Sequence, residues 1–321
     1  FGLSLSANAK AAYTSFAPPK SMYAYPVGIE DGVIAGYYQD TSAAIHGFVR
    51  AVDGTITTFD PAGSDGTYVT GVNSGGAITG YYDDSSYLGH GFVRAADGTI
   101  TAVEPKGAVA SYAWGINKNG LIAGYYEDGS SAWHGFVRKL DGKFTTFSPS
   151  GSTFVTGYAI NKQGAVTGYY DDSAGESHGY VRAADGTIAA FDPSGSVFTA
   201  PYSINDEGAI AGYYVDSSYV QHGFVRTADG TITSFDAPGS TSTEAVGMNN
   251  DGGIAGYYID SSYEAHGFVR SSDGKITAFD PPGSEGTYGQ AIDSSRTDHY
   301  AIVGFYDVSS DVADGFVRTL Q

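Results

Sequence analysis

The sequence predicts an all-β fold: a seven-bladed β-propeller with four antiparallel strands per blade. Three observations predict it: a phrase repeated along the chain, a turn pattern within each repeat, and two chain ends that complement each other. HGFVR begins at His46, His90, His134, His222 and His266, HGYVR at His178, and Asp314 opens the variant DGFVR. The Gly of this phrase recurs at a step of 44 residues five times and then after 48, a period in the range of stacked repeats and propellers.

The third repeat shows the elements in order. Strands are expected over residues 111–117, 121–126, 134–139 and 143–147. Asn117-Lys118-Asn119-Gly120 and Asp141-Gly142 are hairpin turns whose Gly is free to take positive φ. Pro149 and Gly151 then break the chain before the next repeat. No segment has an apolar face at a 3.6-residue period, so helices are not expected. The last repeat supplies three strands, ending at Val317-Arg318-Thr319-Leu320. The missing fourth is at the other terminus, where residues 11–19 mimic residues 276–282. As the outer strand of the seventh blade it would remove a free edge and close the ring. Residues 10–321 thus read as one propeller domain. Residues 1–9, with Ala7-Asn8-Ala9 in an A-x-A pattern, read as a signal-peptide remnant or an N-terminal extension.

Composition agrees. Among 321 residues are 46 Gly and 26 Tyr, too much Gly for a helical bundle. No run approaches a membrane span. A net charge of −19 argues against nucleic acid, whose phosphates need Lys and Arg. Zero Cys removes disulfides, thiol catalysis and thiolate metal sites.

The HGF phrase, preceded by Gly-Tyr-Tyr and followed by Asp-Gly-Thr-Ile-Thr, resembles the HAF family of extracellular repeats over residues 13–320. The resemblance implies a bacterial exported protein, extracellular or periplasmic. It carries no agreed catalytic residues.

Residues present in every blade are read first as structure. The Tyr-Tyr pairs (Tyr37-Tyr38 through Tyr257-Tyr258) place one ring on each side of a strand, where core packing explains them more simply than a carbohydrate ladder. Arg50, Arg94, Arg138, Arg182, Arg226, Arg270 and Arg318 are expected to pair with turn Asp residues or stack on an aromatic ring. Asp40 and His46, and five later pairs, are six residues apart across a hairpin, which predicts an Asp–His hydrogen bond in each loop. In the seventh blade Val308 and Asp314 replace both members. Gly175-Glu176-Ser177-His178-Gly179 fits G-x-S-x-G but lies between two strands, not at a strand-to-helix turn.

Function is expected where the repetition breaks. The second-to-third loops carry acids from Asp40 to Asp314 and no Lys or Arg, a surface that repels anionic polymers. Calcium is conceivable on Asp83-Asp84-Ser85-Ser86 and Asp171-Asp172-Ser173, whereas a metal shared between blades is disfavoured. Near the channel mouth the first strands vary: Val27, Thr70, Trp114, Tyr158, Tyr202, Val246 and Gln290 at one level, and Tyr25, Tyr68, Tyr112, Thr156, Ala200, Glu244 and Tyr288 at another. The expected ligand site comprises Trp114, Trp133, Tyr158 and Tyr202 as stacking rings, with Glu244 and Gln290 as hydrogen-bonding groups. This reads as a monomeric, secreted binding module for a neutral glycan or cell-surface component. The alternatives are a metal-assisted glycan hydrolase or lyase, with Glu244 as ligand or base in the channel, and a structural surface protein. Four extra residues within 294–300 are read as a tolerated insertion or a partner contact.

Overall fold

The structure is a computed structural model that describes residues 11–293 and 301–319. The readings made of residues 1–9 and 294–300 lie outside it. The described residues form 29 β-strands and no helix. None of them is in a helix long and apolar enough to cross a membrane.

Strand pairing groups the chain into four-stranded antiparallel units. In unit three, Ala108–Ile116, Ile122–Asp128, Trp133–Arg138 and Phe144–Phe147 pair in that order. Units one, two, four, five and six repeat the pattern over residues 21–59, 66–102, 154–191, 196–235 and 240–279. The last three strands, Gly286–Ile292, Ala301–Ser309 and Val312–Thr319, take Ala12–Phe16 as their fourth. The register runs from Ala12 opposite Thr319 to Phe16 opposite Gly315, so the strand nearest the N terminus pairs with the last one.

The repeated phrase can now be read residue by residue. Its Gly lies opposite the outer-strand Phe, as Gly47 does with Phe59. A Cβ on Gly47 would come within 2.6 Å of that ring, so only Gly lets the Phe lie flat. The aromatic residue that follows (Phe48, Phe92, Phe136, Tyr180, Phe224, Phe268, Phe316) is fully buried. Except for Phe136, it meets the preceding unit's outer Phe edge-on at about 6 Å, as in Phe59–Phe92 and Phe191–Phe224. The Arg then covers the same Phe at 4.8–5.1 Å in six units. Of the two readings of the arginines, stacking is the one seen. Arg138 alone lacks such a ring, because buried Val103 stands where the other units have Phe. Tyr180, the one phenol in the series, donates its hydroxyl to the Thr156 carbonyl, where the inner strand of unit four splits into Phe154–Val155 and Ala159–Ile160.

At the inner hairpins an Asn latches units two, three and four each to the next. Asn73 donates to the Asn117 carbonyl at 3.0 Å, Asn117 to that of Asn161 at 2.7 Å, and Asn161 to that of Asn205 at 3.1 Å. Their Oδ1 atoms accept N–H groups of their own turns, such as Ala165 at 2.9 Å. Unit seven has Asp293 at this place, and there the donor is reversed: the Gly32 N–H donates to Asp293 at 3.3 Å.

Candidate functional site

The inner strands surround a channel cavity of about 450 Å³. Every residue of the variable level just before the small residue lines it: Val27, Thr70, Trp114, Tyr158, Tyr202, Val246 and Gln290. Tyr37, Tyr68 and Tyr81 join them. The rings touch one another, with Trp114–Tyr158 at 5.0 Å and Tyr158–Tyr202 stacked at 5.2 Å. Burial raises the pKa of both Tyr158 and Tyr202, which stay protonated and donate to Tyr169 and Tyr213. Four of the six expected site residues are therefore brought together: Trp114, Tyr158, Tyr202 and Gln290.

Trp133 and Glu244 are not among the lining residues. Trp133 sits on a third strand, behind the wall, packed on Phe154 at 5.1 Å, Tyr125 at 5.9 Å and Tyr112 at 6.1 Å. Its membership of the same blade as Trp114 suggests proximity, but a third strand is two strands out from the channel. Glu244 is half-buried opposite Tyr257 on the neighbouring strand. Its surroundings explain why that position varies. Around the channel, ring contacts run from Tyr25 through Tyr37, Tyr68, Tyr81, Tyr112 and Tyr125. They continue through Phe154, Tyr169 and Phe198 to Tyr213, and separately from Tyr257 through Tyr288 and Phe305 back to Tyr25. Among the described residues no ring contact joins Tyr213 to Tyr257, and Glu244 stands in that gap.

The gap is polar. Gln221 and Tyr257 hydrogen-bond to the Glu244 carboxylate and oppose its burial, but burial dominates and raises its pKa. The charge also acts on Tyr202 and Tyr213, both of whose pKa values it helps to raise. Ser242 donates to Gln221 at 2.5 Å. Gln221 escaped notice in the sequence, although a signal existed: it immediately precedes His222, where other units carry Ile45, Gly89, Trp133, Ser177 and Ala265.

The Asp–His pairing is present but secondary. Nε2 lies 3.1–3.7 Å from the Asp six residues earlier. That Asp turns its other oxygen to its own loop, as Asp84 does with Ser86 N and Leu88 N. The shorter bond is from Nδ1 to a group fourteen residues later: Asp60, Glu104, Asp192, Asp236 and Asp280 at 2.7–2.9 Å, and Ser148 at 2.9 Å. Unit seven changes this third place too, to Ala17. Two loops gather Asp172, Glu176 and His178, and Asp260, Glu264 and His266, with ligand atoms within 4.8 Å of one another. A mixed set of three donors falls short of the six to eight oxygens calcium takes.

Several solved structures share this fold. The β-propeller domain of the Trilobed protease from Pyrococcus furiosus matches at TM-score 0.65 and 10% identity, over 93% of this chain and 95% of that one. The likeness is one of fold. Puromycin hydrolase (S511A mutant) matches at TM-score 0.61 and 12% identity, over 93% of this chain. TolB from Acinetobacter baumannii matches at TM-score 0.55 and 12% identity, over 78% of this chain. The chain spans 55% of the hydrolase and 63% of TolB. No protein-family model matches the sequence, and no curated protein matches it.

Proposed function

We propose that the chain is an exported seven-bladed propeller, closed by Ala12–Phe16, that binds a neutral glycan in its central channel without transforming it. The observation that carries this reading is the lining itself. Trp114, Tyr158 and Tyr202 offer flat apolar faces, while Gln290 offers an amide donor and acceptor and the phenol oxygens offer acceptors at their edges. Aromatic bodies with polar tips suit the apolar face and rim hydroxyls of a sugar ring. The acidic loops around the mouth disfavour an anionic polymer. Glycoside hydrolysis commonly takes two carboxyl groups flanking the bond; among the described residues the aromatic cavity is lined by one carboxylate, Glu30, and Asp206 joins it only in the adjoining cavity, paired with Lys118 at 3.7 Å. Export rests on the resemblance to HAF repeats.

The two Trp residues allow a direct test. With Trp133→Phe as background, Trp114 is the sole indole and reports on the channel. A panel of neutral oligosaccharides should include one that shifts its emission saturably, with reducing ends unchanged on incubation. Tyr202→Ala should then weaken that ligand about tenfold or more, the loss expected of one stacking contact with its hydrogen bond. A panel without effect on Trp114 emission, or release of new reducing ends, overturns the proposal.

A further inference from the structure

One arginine of the repeat is unlike the other six. Those six lie over an outer-strand Phe, and their Nε atoms are buried without a hydrogen-bond partner. In units two, four, five and six Nη1 also donates to the next residue's carbonyl at 3.2–3.4 Å. The guanidinium folds over its own outer hairpin, so that a Cβ on Gly54, Gly98, Gly186, Gly230 or Gly274 would meet Nη2 at 3.3–3.5 Å. A Cβ on Gly142 would meet nothing within 4 Å, so the Arg138 guanidinium does not cover its hairpin in this way. The reason is Val103, which removes the ring that holds the group down in the other units. Phe144 supplies a ring to Phe136 in its place, and among the described residues nothing supplies one to Arg138.

The hairpin that follows Arg138 departs from the others in the same direction. Lys139 stands where other units carry Ala51, Ala95, Ala183, Thr227 and Ser271. Lys143 stands where four of them carry Thr55, Thr99, Thr187 and Thr231. Lys143 pairs with the turn acid Asp141 at 3.1 Å, which leaves the charges of Arg138 and Lys139 in excess. Between the two lysines Leu140 is 76% exposed, where three units carry Ala96, Ala184 and Ala228. Neither channel cavity includes these residues, so the tip is a projection and not a pocket. A soluble polyanion would satisfy the cations and leave Leu140 in water. An anionic lipid surface satisfies both, with headgroup phosphates for the cations and an apolar layer for Leu140. The acidic loop at Asp128 lies beyond the far end of the six-residue strand Trp133–Arg138. That is about 17 Å away by the rise of a strand, and its charge is screened at physiological salt.

We propose that the outer hairpin of unit three, with Arg138, Lys139 and Lys143 around Leu140, docks the protein on an anionic phospholipid surface. The site is separate from the aromatic cavity and does not depend on the glycan reading. The test is cosedimentation with phosphatidylcholine vesicles made with or without phosphatidylglycerol, at physiological and at high salt. Wild type is expected to bind the vesicles that contain phosphatidylglycerol, not those without it, and to be released by high salt. The triple variant Lys139→Ala, Leu140→Ala, Lys143→Thr gives the hairpin residues that other units carry. It should keep the wild-type urea midpoint and lose about tenfold or more in lipid affinity. Leu140→Ala alone should lose about threefold. The pair Val103→Phe, Phe144→Ile changes no charge and restores the ring over which the other arginines fold, so it should lose about threefold to fivefold by withdrawing Arg138. An absence of wild-type binding to phosphatidylglycerol vesicles overturns the proposal, and so does an affinity unchanged in the triple variant or in the Val103→Phe pair. Full affinity in Leu140→Ala reduces the effect to charge alone and overturns the lipid surface as the partner.

Discussion

Asn161→Asp tests whether the inner Asn latches hold neighbouring units together. The substitution changes one group and almost no volume. Asn161 is 5% exposed; its Nδ2 donates to the Asn205 carbonyl at 3.1 Å and its Oδ1 accepts from Ala165 N at 2.9 Å. The variant keeps the acceptor but turns a carboxylate oxygen toward the carbonyl. The lost bond costs about 1 kcal/mol, and the buried carbonyl left facing an anion about 2 kcal/mol more. The sum is about 3 kcal/mol at pH 7, equivalent to about two pKa units. The sign follows from the proton. Once protonated, the new carboxyl can donate to the Asn205 carbonyl, so the folded state raises its pKa above the unfolded value. Its stability is full below about pH 4 and is lost as pH rises toward about 6. Asn161→Ala removes both bonds and has no proton to gain, so it should cost about 2–4 kcal/mol at every pH. Urea unfolding of the three proteins between pH 4 and 8 separates the cases. A cost under about 1 kcal/mol at pH 7 for the Asn161→Asp variant, or one that does not vary with pH, would refute the latch.

Two further predictions concern units five and six. Gly212→Ala should cost about 3 kcal/mol or more, because its Cβ would lie 2.1 Å from the Ala200 carbonyl oxygen and 2.7 Å from Pro201 Cα. Gly239→Ala, at φ +84° with nothing within 4 Å, should cost only about 1 kcal/mol; urea midpoints compare them. Glu244→Gln removes a carboxyl whose folded pKa is raised. Such a group loses stability as pH rises above its unfolded value, near 4.5. Wild type should therefore lose stability relative to the variant between pH 4 and 7, and a difference in unfolding free energy that is flat with pH would contradict the assignment.

Much of the strand plan was legible because the period and the turn residues are local signals. In unit three the expected second strand 121–126 and third strand 134–139 differ by one or two residues from the observed Ile122–Asp128 and Trp133–Arg138. The channel lining was legible for the same reason, since one register position on the innermost strands faces inward in each unit. What escaped were contacts between strands. The Nδ1 partner of each His lies fourteen residues away on the outer strand, and a six-residue separation is simply easier to see. Trp133 was assigned by neighbourhood in sequence, which does not give radial depth.

The departures from the repeat differ in kind, and the difference separates scaffold from function. Val103 removes a ring from unit two, and the vacated contact is taken up in unit three, where Phe136 packs edge-on against Phe144 at 5.5 Å. Tyr180 adds a hydroxyl and finds a carbonyl for it. Asp293 reverses a donor where units seven and one meet, and Gly32 N–H answers it. Each of these is matched by a neighbour, so each is explained by folding alone. Glu244 has Gln221 and Tyr257 beside it yet retains a raised pKa, so its partners do not fully compensate its burial. Arg138 loses the same ring at Val103, and among the described residues no neighbour replaces it. Uncompensated departures of this sort are where selection for something other than stability is best sought. On that criterion the polar gap around Glu244, between Tyr213 and Tyr257, is the place to test first.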